Sequence, residues 1–161
     1  MDGLLVALTT VAALGCGLNA GVFFAFSSFV MKALARLQPA QGIAAMQSIN
    51  VVVINPVFLT LFLGTGSLCA AGIFGSAMHW QEPAAAYLLA GGALYLVGAI
   101  LVTMLFNVPR NTALAELGPS SAEGAKLWAS YLSSWTAWNH VRTIASLAAA
   151  ALFTLGLRFR V

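Results

Sequence analysis

Four long apolar runs dominate the hydrophobic pattern of this chain. They cover approximately residues 4–31, 56–78, 84–106 and 138–157. A helix rises about 1.5 Å per residue and the hydrocarbon core of a bilayer is about 30 Å thick, so each run is long enough to cross it. The pattern predicts an all-α integral membrane four-helix bundle. We expect residues 1–161 to form a single transmembrane domain with both termini on one side.

Composition agrees with a membrane location. Hydrophobic residues make up 61% of the 161 residues and charged residues only 7%, whereas a soluble domain carries about 25% charged residues. The first run is not expected to be a signal peptide, because it is too long and follows Asp2 instead of a basic region. The net charge of +3 comes from scattered residues, so we expect no nucleic-acid partner. Cys16 and Cys69 lack CxxC spacing and are expected to be small buried hydrophobes.

Basic residues near the ends of the spans indicate an orientation. The side of loops 1 and 3 carries four of them, namely Lys32, Arg36, Arg110 and Lys126. The side of the termini carries Arg158 and Arg160. The positive-inside rule therefore predicts that loops 1 and 3 are cytoplasmic, in a membrane such as the bacterial inner membrane.

Two segments resemble each other and predict an internal duplication. Residues 33–39 (ALARLQP) echo residues 113–119 (ALAELGP), and each segment follows one span and precedes another. The alignment pairs Ser27 with Asn107 and Asn55 with Asn139. Two parallel helix-pair repeats would be related by a pseudo-two-fold axis along the membrane normal. Polar residues of both copies would then gather at the end of the bundle that carries loops 1 and 3.

Prolines near this end predict two breaks in the helices. Asn55 and Pro56 fit the cap and the first position of a helix, so span 2 is expected to begin there, with Asn55 either a cap alone or also lining a pocket. Pro109 disfavours helix at Val108, so span 3 is expected to end there, with Asn111 capping a short turn. Irregular backbone at membrane depth is tolerated where it lines a cavity, so the two breaks indicate one.

Polar and aromatic residues form a stripe in the last quarter of the chain. Its members recur at steps of three or four residues and are Trp128, Tyr131, Trp135, Trp138 or Asn139, Arg142 and Ser146. This spacing predicts one face of a helix from Ala122 to Leu157. An arginine at the centre of a membrane helix costs about 2.5–3.5 kcal/mol on insertion scales, so its presence here indicates a use. The stripe is either an interfacial aromatic belt or a pocket whose rings and cation hold a flat aromatic anion.

Histidine and cofactor motifs constrain the chemistry further. His140 lies about 100° around the helix from Asn139, so we expect it to flank such a pocket, where it is a candidate base and the only candidate metal ligand. His79 lies at the opposite end of the bundle and cannot share a metal with it. The chain has no HExxH or paired-histidine spacing, which leaves either no cofactor or a single copper or iron ion. It has no GxGxxG or P-loop, so no nucleotide cofactor is expected.

Four motifs together resemble a known family. They are residues 21–27 (GVFFAFS), 46–50 (MQSIN) leading to Asn55-Pro56, 107–111 (NVPRN) and 135–143 (WTAWNHVRT). In this order and spacing the set is similar to the anthrone oxygenase-like family of small four-span membrane proteins, and the resemblance covers essentially the whole chain. Some fungal members oxidise an anthrone to an anthraquinone with molecular oxygen.

The resemblance and the residues together predict a site. The predicted catalytic residues are His140 as base, with Arg142, Asn107 and Asn139 stabilising an oxyanion. The predicted substrate-binding residues are Trp135, Trp138, Asn50, Asn55 and Asn111. Three functions stay open: an oxygenase-like membrane oxidoreductase for a lipophilic phenolic, anthrone or quinone-like compound, a binding or transport protein for a lipophilic anion, and a structural membrane subunit. The expected partners are the bilayer, a small lipophilic aromatic ligand and a second copy of the chain in a possible homodimer. A dry cluster with every polar group paired would favour the structural subunit.

Overall fold

The computed structural model describes residues 3–159, and all regular secondary structure in this range is helical. Its helices are α1 (Gly3–Ala35), α2 (Pro39–Val52), α3 (Pro56–Met78), α4 (Ala85–Ala115) and α5 (Ala122–Leu157). Four of them, α1, α3, α4 and α5, are long and apolar enough to cross a membrane. The predicted all-α integral membrane bundle is thus confirmed. Arg160, one of the residues used for the predicted orientation, lies outside the described range.

The predicted start of span 2 is confirmed at atomic detail. The Asn55 Oδ1 atom accepts a hydrogen bond from the Phe58 N–H at 3.0 Å. Its Nδ2 atom donates to the carbonyl of Val52 at 2.9 Å. One side chain therefore closes the end of α2 and opens α3, which fixes the angle at which the two helices meet.

The predicted end of span 3 is wrong. Helix α4 continues through Pro109 to Ala115, and Asn111 lies inside it instead of capping a turn. A wide π-helical turn, Thr103–Asn107, ends two residues before this proline, and another, Leu96–Leu101, lies further back in α4. A proline ring clashes with the carbonyl four residues earlier in an α-helix, and the wider turn gives the ring room. The helix therefore passes the proline without breaking.

The two predicted repeats share one uncommon feature. Helix α1 has its own π-helical turn, Phe26–Val30, at the same end of the bundle as the turn Thr103–Asn107 in α4. Ser27 and Asn107, which the alignment pairs, lie in these turns and both are buried. The copies differ after that, because α2 and α3 are separate helices while α5 is continuous. The duplication itself stays a prediction.

The buried hydrophobic residues fall into two clusters along the bundle axis. One includes Cys16, Cys69 and Phe153, and the two cysteine sulfurs lie 3.8 Å apart with both thiols free, as expected for small buried hydrophobes. The other lies at the loop 1 and 3 end and includes Ile43 and Trp128. Side chains of both clusters border a polar cavity, which therefore interrupts the core.

Candidate functional site

A cavity of about 300 Å³ lies at the loop 1 and 3 end of the bundle. All five helices contribute to it. Its polar lining residues are Asn50, Thr103, Asn107, Asn111, Asn139 and Arg142. Its aromatic lining residues are Phe23, Phe26, Phe58, Phe62 and Trp135. Six of the nine predicted site residues thus meet in one cavity, namely Asn50, Asn107, Asn111, Trp135, Asn139 and Arg142.

Arg142 is the charged centre of this cavity and only 6% exposed. Its Nη2 atom donates to the Asn139 Oδ1 at 2.6 Å and its Nη1 atom to the Thr103 Oγ1 at 3.1 Å. The guanidinium carbon also lies 4.4 Å from the ring centre of Phe23 and 5.0 Å from that of Trp135. Neutral oxygens and ring faces stabilise the cation here. Within residues 3–159 no carboxylate pairs with it, so its charge is left for an anion.

Asn139 orients this guanidinium and ties α5 to α1. Its Nδ2 atom donates to the carbonyl of Phe23 and to the Ser27 Oγ, both at 2.6 Å. These two acceptors fix which way the amide faces, so its oxygen points to Arg142. The helical stripe therefore places Asn139, not Trp138, on the inner face.

Asn111 positions the aromatic wall. Its Oδ1 atom accepts hydrogen bonds from the Tyr131 hydroxyl and the Trp135 Nε1, each at 2.8 Å. The two rings stack with centroids 6.2 Å apart. Asn111 lies in the part of α4 that follows Pro109, so the continued helix holds the indole against the cavity.

Helix α2 brings Asn50 over the same cavity. The Gln47 Nε2 atom donates to the carbonyls of Leu114 and Leu117, at 2.8 and 3.0 Å, and so anchors α2 to the end of α4. These carbonyls lie in the last turn of α4 and just after it, where intrahelical partners run out. Asn50, three residues further along α2, borders the cavity.

Three polar atoms of cavity-lining residues have no hydrogen-bond partner in the described part of the chain. They are the Asn50 Nδ2, the Asn107 Oδ1 and the Arg142 Nε atoms. A buried polar atom left unpaired costs about 1–3 kcal/mol. The cluster therefore does not have the fully paired arrangement expected of a purely structural polar core. Two free donors and one free acceptor match a ligand that carries both an anionic oxygen and a hydroxyl group.

Three predicted site residues lie outside the cavity, and their assignment to it is corrected. Asn55 is used as the cap of α3. Trp138 stacks on Phe106, with ring centroids 3.6 Å apart and planes 8° apart. His140 is exposed, because it follows Asn139 on the helix and is rotated away from the buried face. Its position gives no support to the predicted role of base or metal ligand in this cavity.

A family comparison agrees with this geometry. The model of a family described as anthrone oxygenase matches residues 58–152, more than half of the 161-residue chain. The chain belongs to the anthrone oxygenase family. No curated protein and no solved structure matches it.

Family membership makes the chain an oxygenase-like membrane protein. The matched segment of this anthrone oxygenase family member contains the α4 and α5 residues of the cavity, including Asn107, Asn139 and Arg142. Phe23 and Asn50 precede that segment, so the cavity is completed by α1 and α2.

The lining of the cavity does not fit a copper or iron ion. Within residues 3–159 no group of three or more His, Cys, Asp or Glu side chains could hold a metal. The polar groups of the cavity are amides, one hydroxyl and a guanidinium, and a fixed positive charge disfavours a bound cation. The lining residues include one thioether, that of Met46, but no thiolate, imidazole or carboxylate to complete a copper or iron site.

Sequence reasoning missed Thr103 and most of the phenylalanine wall. Thr103 lies four residues before Asn107 on α4, so the two side chains share a helix face, and this spacing was a usable signal. Phe23 lies in the GVFFAFS motif, which supports the family resemblance but predicts no role for this side chain. The π-helical turns, which rotate residues such as Asn107 relative to an ideal α-helix, leave no comparable signal in the sequence.

Proposed function

We propose that this protein is an oxygen-dependent oxidoreductase that binds the anion of a lipophilic anthrone-like phenolic compound in the polar cavity and oxidises it to a quinone. The observation that carries the proposal is Arg142, a buried guanidinium without a carboxylate partner, facing a cavity with aromatic rings in its wall. A flat aromatic anion satisfies both parts of this site, since rings stack on rings and the oxygen anion pairs with the cation.

The first chemical role of the site is to favour the ionised substrate. An opposite charge within about 4–6 Å of an acid lowers the pKa of that acid. Arg142 is held for this purpose by Asn139 and Thr103. The cavity-lining residues include no carboxylate and no histidine, so stabilisation of the anion takes the place of a general base, and water at the membrane surface accepts the proton.

The second role is to hold the anion while it reacts with oxygen. The anthrone anion transfers electrons to molecular oxygen, and a carbon–oxygen bond forms at the methylene carbon to give a peroxide anion, which takes a proton back from water to become a hydroperoxide. Its oxygen–oxygen bond then breaks as the remaining hydrogen on that carbon leaves, which gives the quinone carbonyl and one water. One oxygen molecule takes up four electrons and the methylene carbon loses four. The free Asn107 Oδ1 and Asn50 Nδ2 atoms are suited to bind the substrate's hydroxyl and carbonyl groups.

The test compares two arginines at the same end of the bundle. Arg142→Leu should lower the rate of oxygen uptake by about 10²–10³-fold, the usual effect of removing a donor to a developing oxyanion. Arg110→Leu is the matched control, since Arg110 bonds the Ser134 Oγ and the Phe106 carbonyl and does not line the cavity. Proteoliposomes supplied with a hydroxyanthrone would be assayed with an oxygen electrode and by quinone absorbance, with helicity checked by circular dichroism. Equal rates for wild type and Arg142→Leu would rule out the proposal.

Binding or transport of a lipophilic anion is the second candidate. It is favoured by the lack of a general base among the cavity-lining residues. The same proteoliposomes discriminate the two functions. A hydroxyanthrone retained by the wild type and lost from Arg142→Leu, with no oxygen uptake in either, would identify a binding protein.

A further inference from the structure

The polar cavity also has an apolar mouth on the outer surface of the bundle. Among its lining residues are Leu59 and Leu63 of α3 and Val108 of α4. Leu63 is 53% exposed and Val108 is 46% exposed. The same cavity therefore runs from a buried cation to side chains on the outside of two membrane-spanning helices.

This mouth exists because α3 and α4 diverge. Near the middle of the bundle they are in close contact, since a Cβ atom added to Gly92 would lie only 2.8 Å from the carbonyl of Cys69. A Cβ atom on Gly66 would lie 3.5 Å from Ile100. Further towards loops 1 and 3, the cavity separates residues 58–63 of α3 from residues 103–108 of α4. The two helices thus form a wedge that opens towards one membrane surface.

The mouth is expected to lie at the depth of the hydrocarbon. Helix α3 begins at Pro56, and Leu63 is about 10 Å further along it at about 1.5 Å per residue. Both α3 and α4 are apolar enough to span the membrane. We therefore expect the exposed leucine and valine side chains of the mouth to contact lipid chains.

We propose that the gap between α3 and α4, bordered by Leu59, Leu63 and Val108, is a lateral portal through which the ligand passes directly between the bilayer and the cavity. The ligand is accordingly a membrane-dissolved aromatic amphiphile. Its polar oxygen faces Arg142 and its apolar part lies at the mouth. The identity of the ligand rests on the proposed function, whereas the opening to lipid does not.

The opening can be tested without any ligand, by quenching of tryptophan fluorescence. The chain has four tryptophans. Trp135 lines the cavity although it is only 5% exposed. A protein with Trp80, Trp128 and Trp138 each replaced by phenylalanine would be reconstituted in phosphatidylcholine vesicles with and without brominated acyl chains. Bromine quenches indole only at short range, so we expect marked quenching by brominated lipid and little by aqueous iodide.

Two substitutions locate the route. Leu63→Phe narrows the mouth and should remove most of the quenching by brominated lipid. Leu147→Phe is the matched control, because Leu147 of α5 is 61% exposed but does not line the cavity, and it should leave the quenching unchanged. If the single-tryptophan protein does not fold, the difference in quenching between wild type and Trp135→Phe measures the same quantity.

Two results would overturn the portal. One is quenching by iodide that exceeds quenching by brominated lipid, which would make the cavity open to water. The other is an equal effect of Leu63→Phe and Leu147→Phe. No substrate is used in this experiment, so its outcome is independent of the proposed function. The portal can be refuted even if Arg142→Leu abolishes oxygen uptake, and it can be supported even if oxygen uptake is never observed.

Discussion

Each end of this bundle contains a cavity, and the two cavities differ in their polar atoms. The cavity near the termini, of about 160 Å³, is lined mainly by apolar residues, with Thr9 and Ser76 among the exceptions. The hydroxyls of these two donate to carbonyls of their own helices, at 2.8 and 2.7 Å. The cavity at the loop 1 and 3 end contains a buried cation and three unpaired polar atoms.

The comparison separates imperfect packing from a binding site. Helices with small residues and irregular turns leave gaps at both ends, and an apolar gap can stay empty at modest cost. Unpaired donors and acceptors in a buried gap lower the stability of the fold more than an apolar gap does. Such groups are retained where a ligand satisfies them. The unpaired atoms, and not the volume, distinguish the end that we propose to be functional.

Replacing Asn139 should have the largest effect on stability and would sharpen this contrast. Asn139→Leu leaves the Phe23 carbonyl, the Ser27 hydroxyl and the Arg142 Nη2 atom without their partner. The bonds to Phe23 and Ser27 are interhelical, and such bonds in membranes average about 0.6 kcal/mol and reach about 1.7 kcal/mol, so losing these two should cost about 1–3 kcal/mol. Reversible unfolding in mixed micelles with increasing SDS measures this loss. An unfolding midpoint equal to that of the wild type would show that Asn139 does not hold α1 to α5.

At this end of the molecule, the features that depend on local sequence signals could be predicted from the sequence. The start of α3 at Asn55 and the buried stripe of α5 follow from capping and from helical period, both local properties. The spacing does not decide between Trp138 and Asn139, because neighbouring residues both fit a stripe of mixed three- and four-residue steps. The chemistry of His140 favours a site residue, but the rotation of one residue along the helix places it on the exposed face.

The path of α4 could not be predicted, for a different reason. Pro109 is a local signal against helix, but the π-helical turn that accommodates it is stabilised by contacts with other helices. Asn111 bonds Tyr131 and Trp135 of α5, and Gln47 of α2 bonds the end of α4. Such long-range contacts override a local preference and hold α4 in place at the cavity.

A smaller effect is expected from replacing Asn107. This substitution tests whether an unpaired atom affects turnover because of its position at the cavity. Asn107→Leu loses one hydrogen bond, to the Trp135 carbonyl at 3.2 Å, which is worth about 0.6 kcal/mol. It also removes the free acceptor, so kcat/KM for a hydroxyanthrone should fall about tenfold, or about 1.4 kcal/mol.

Asn19→Leu is the matched control for that variant. Asn19 is fully buried and also has an unpaired Oδ1 atom, but it does not line the cavity. Its replacement should leave kcat/KM unchanged, even if the loss of its bonds to the Gly15 carbonyl and the Thr65 Oγ1 lowers stability slightly. Equal losses of kcat/KM in the two variants would mean that unpaired amides in this bundle act through packing and not through ligand contact.

The smallest effect is expected at the apolar end, from Ser76→Ala. Ser76 borders the smaller cavity, and its hydroxyl bonds the Gly72 carbonyl one turn earlier in α3. Removing the hydroxyl leaves that carbonyl with its helical N–H donor, so the free energy of unfolding should change by less than about 0.5 kcal/mol. The same SDS titration and oxygen-uptake assay apply. A clear fall in oxygen uptake with unchanged stability would contradict the contrast between the two ends, because a hydroxyl that is bonded within its own helix would then contribute to function.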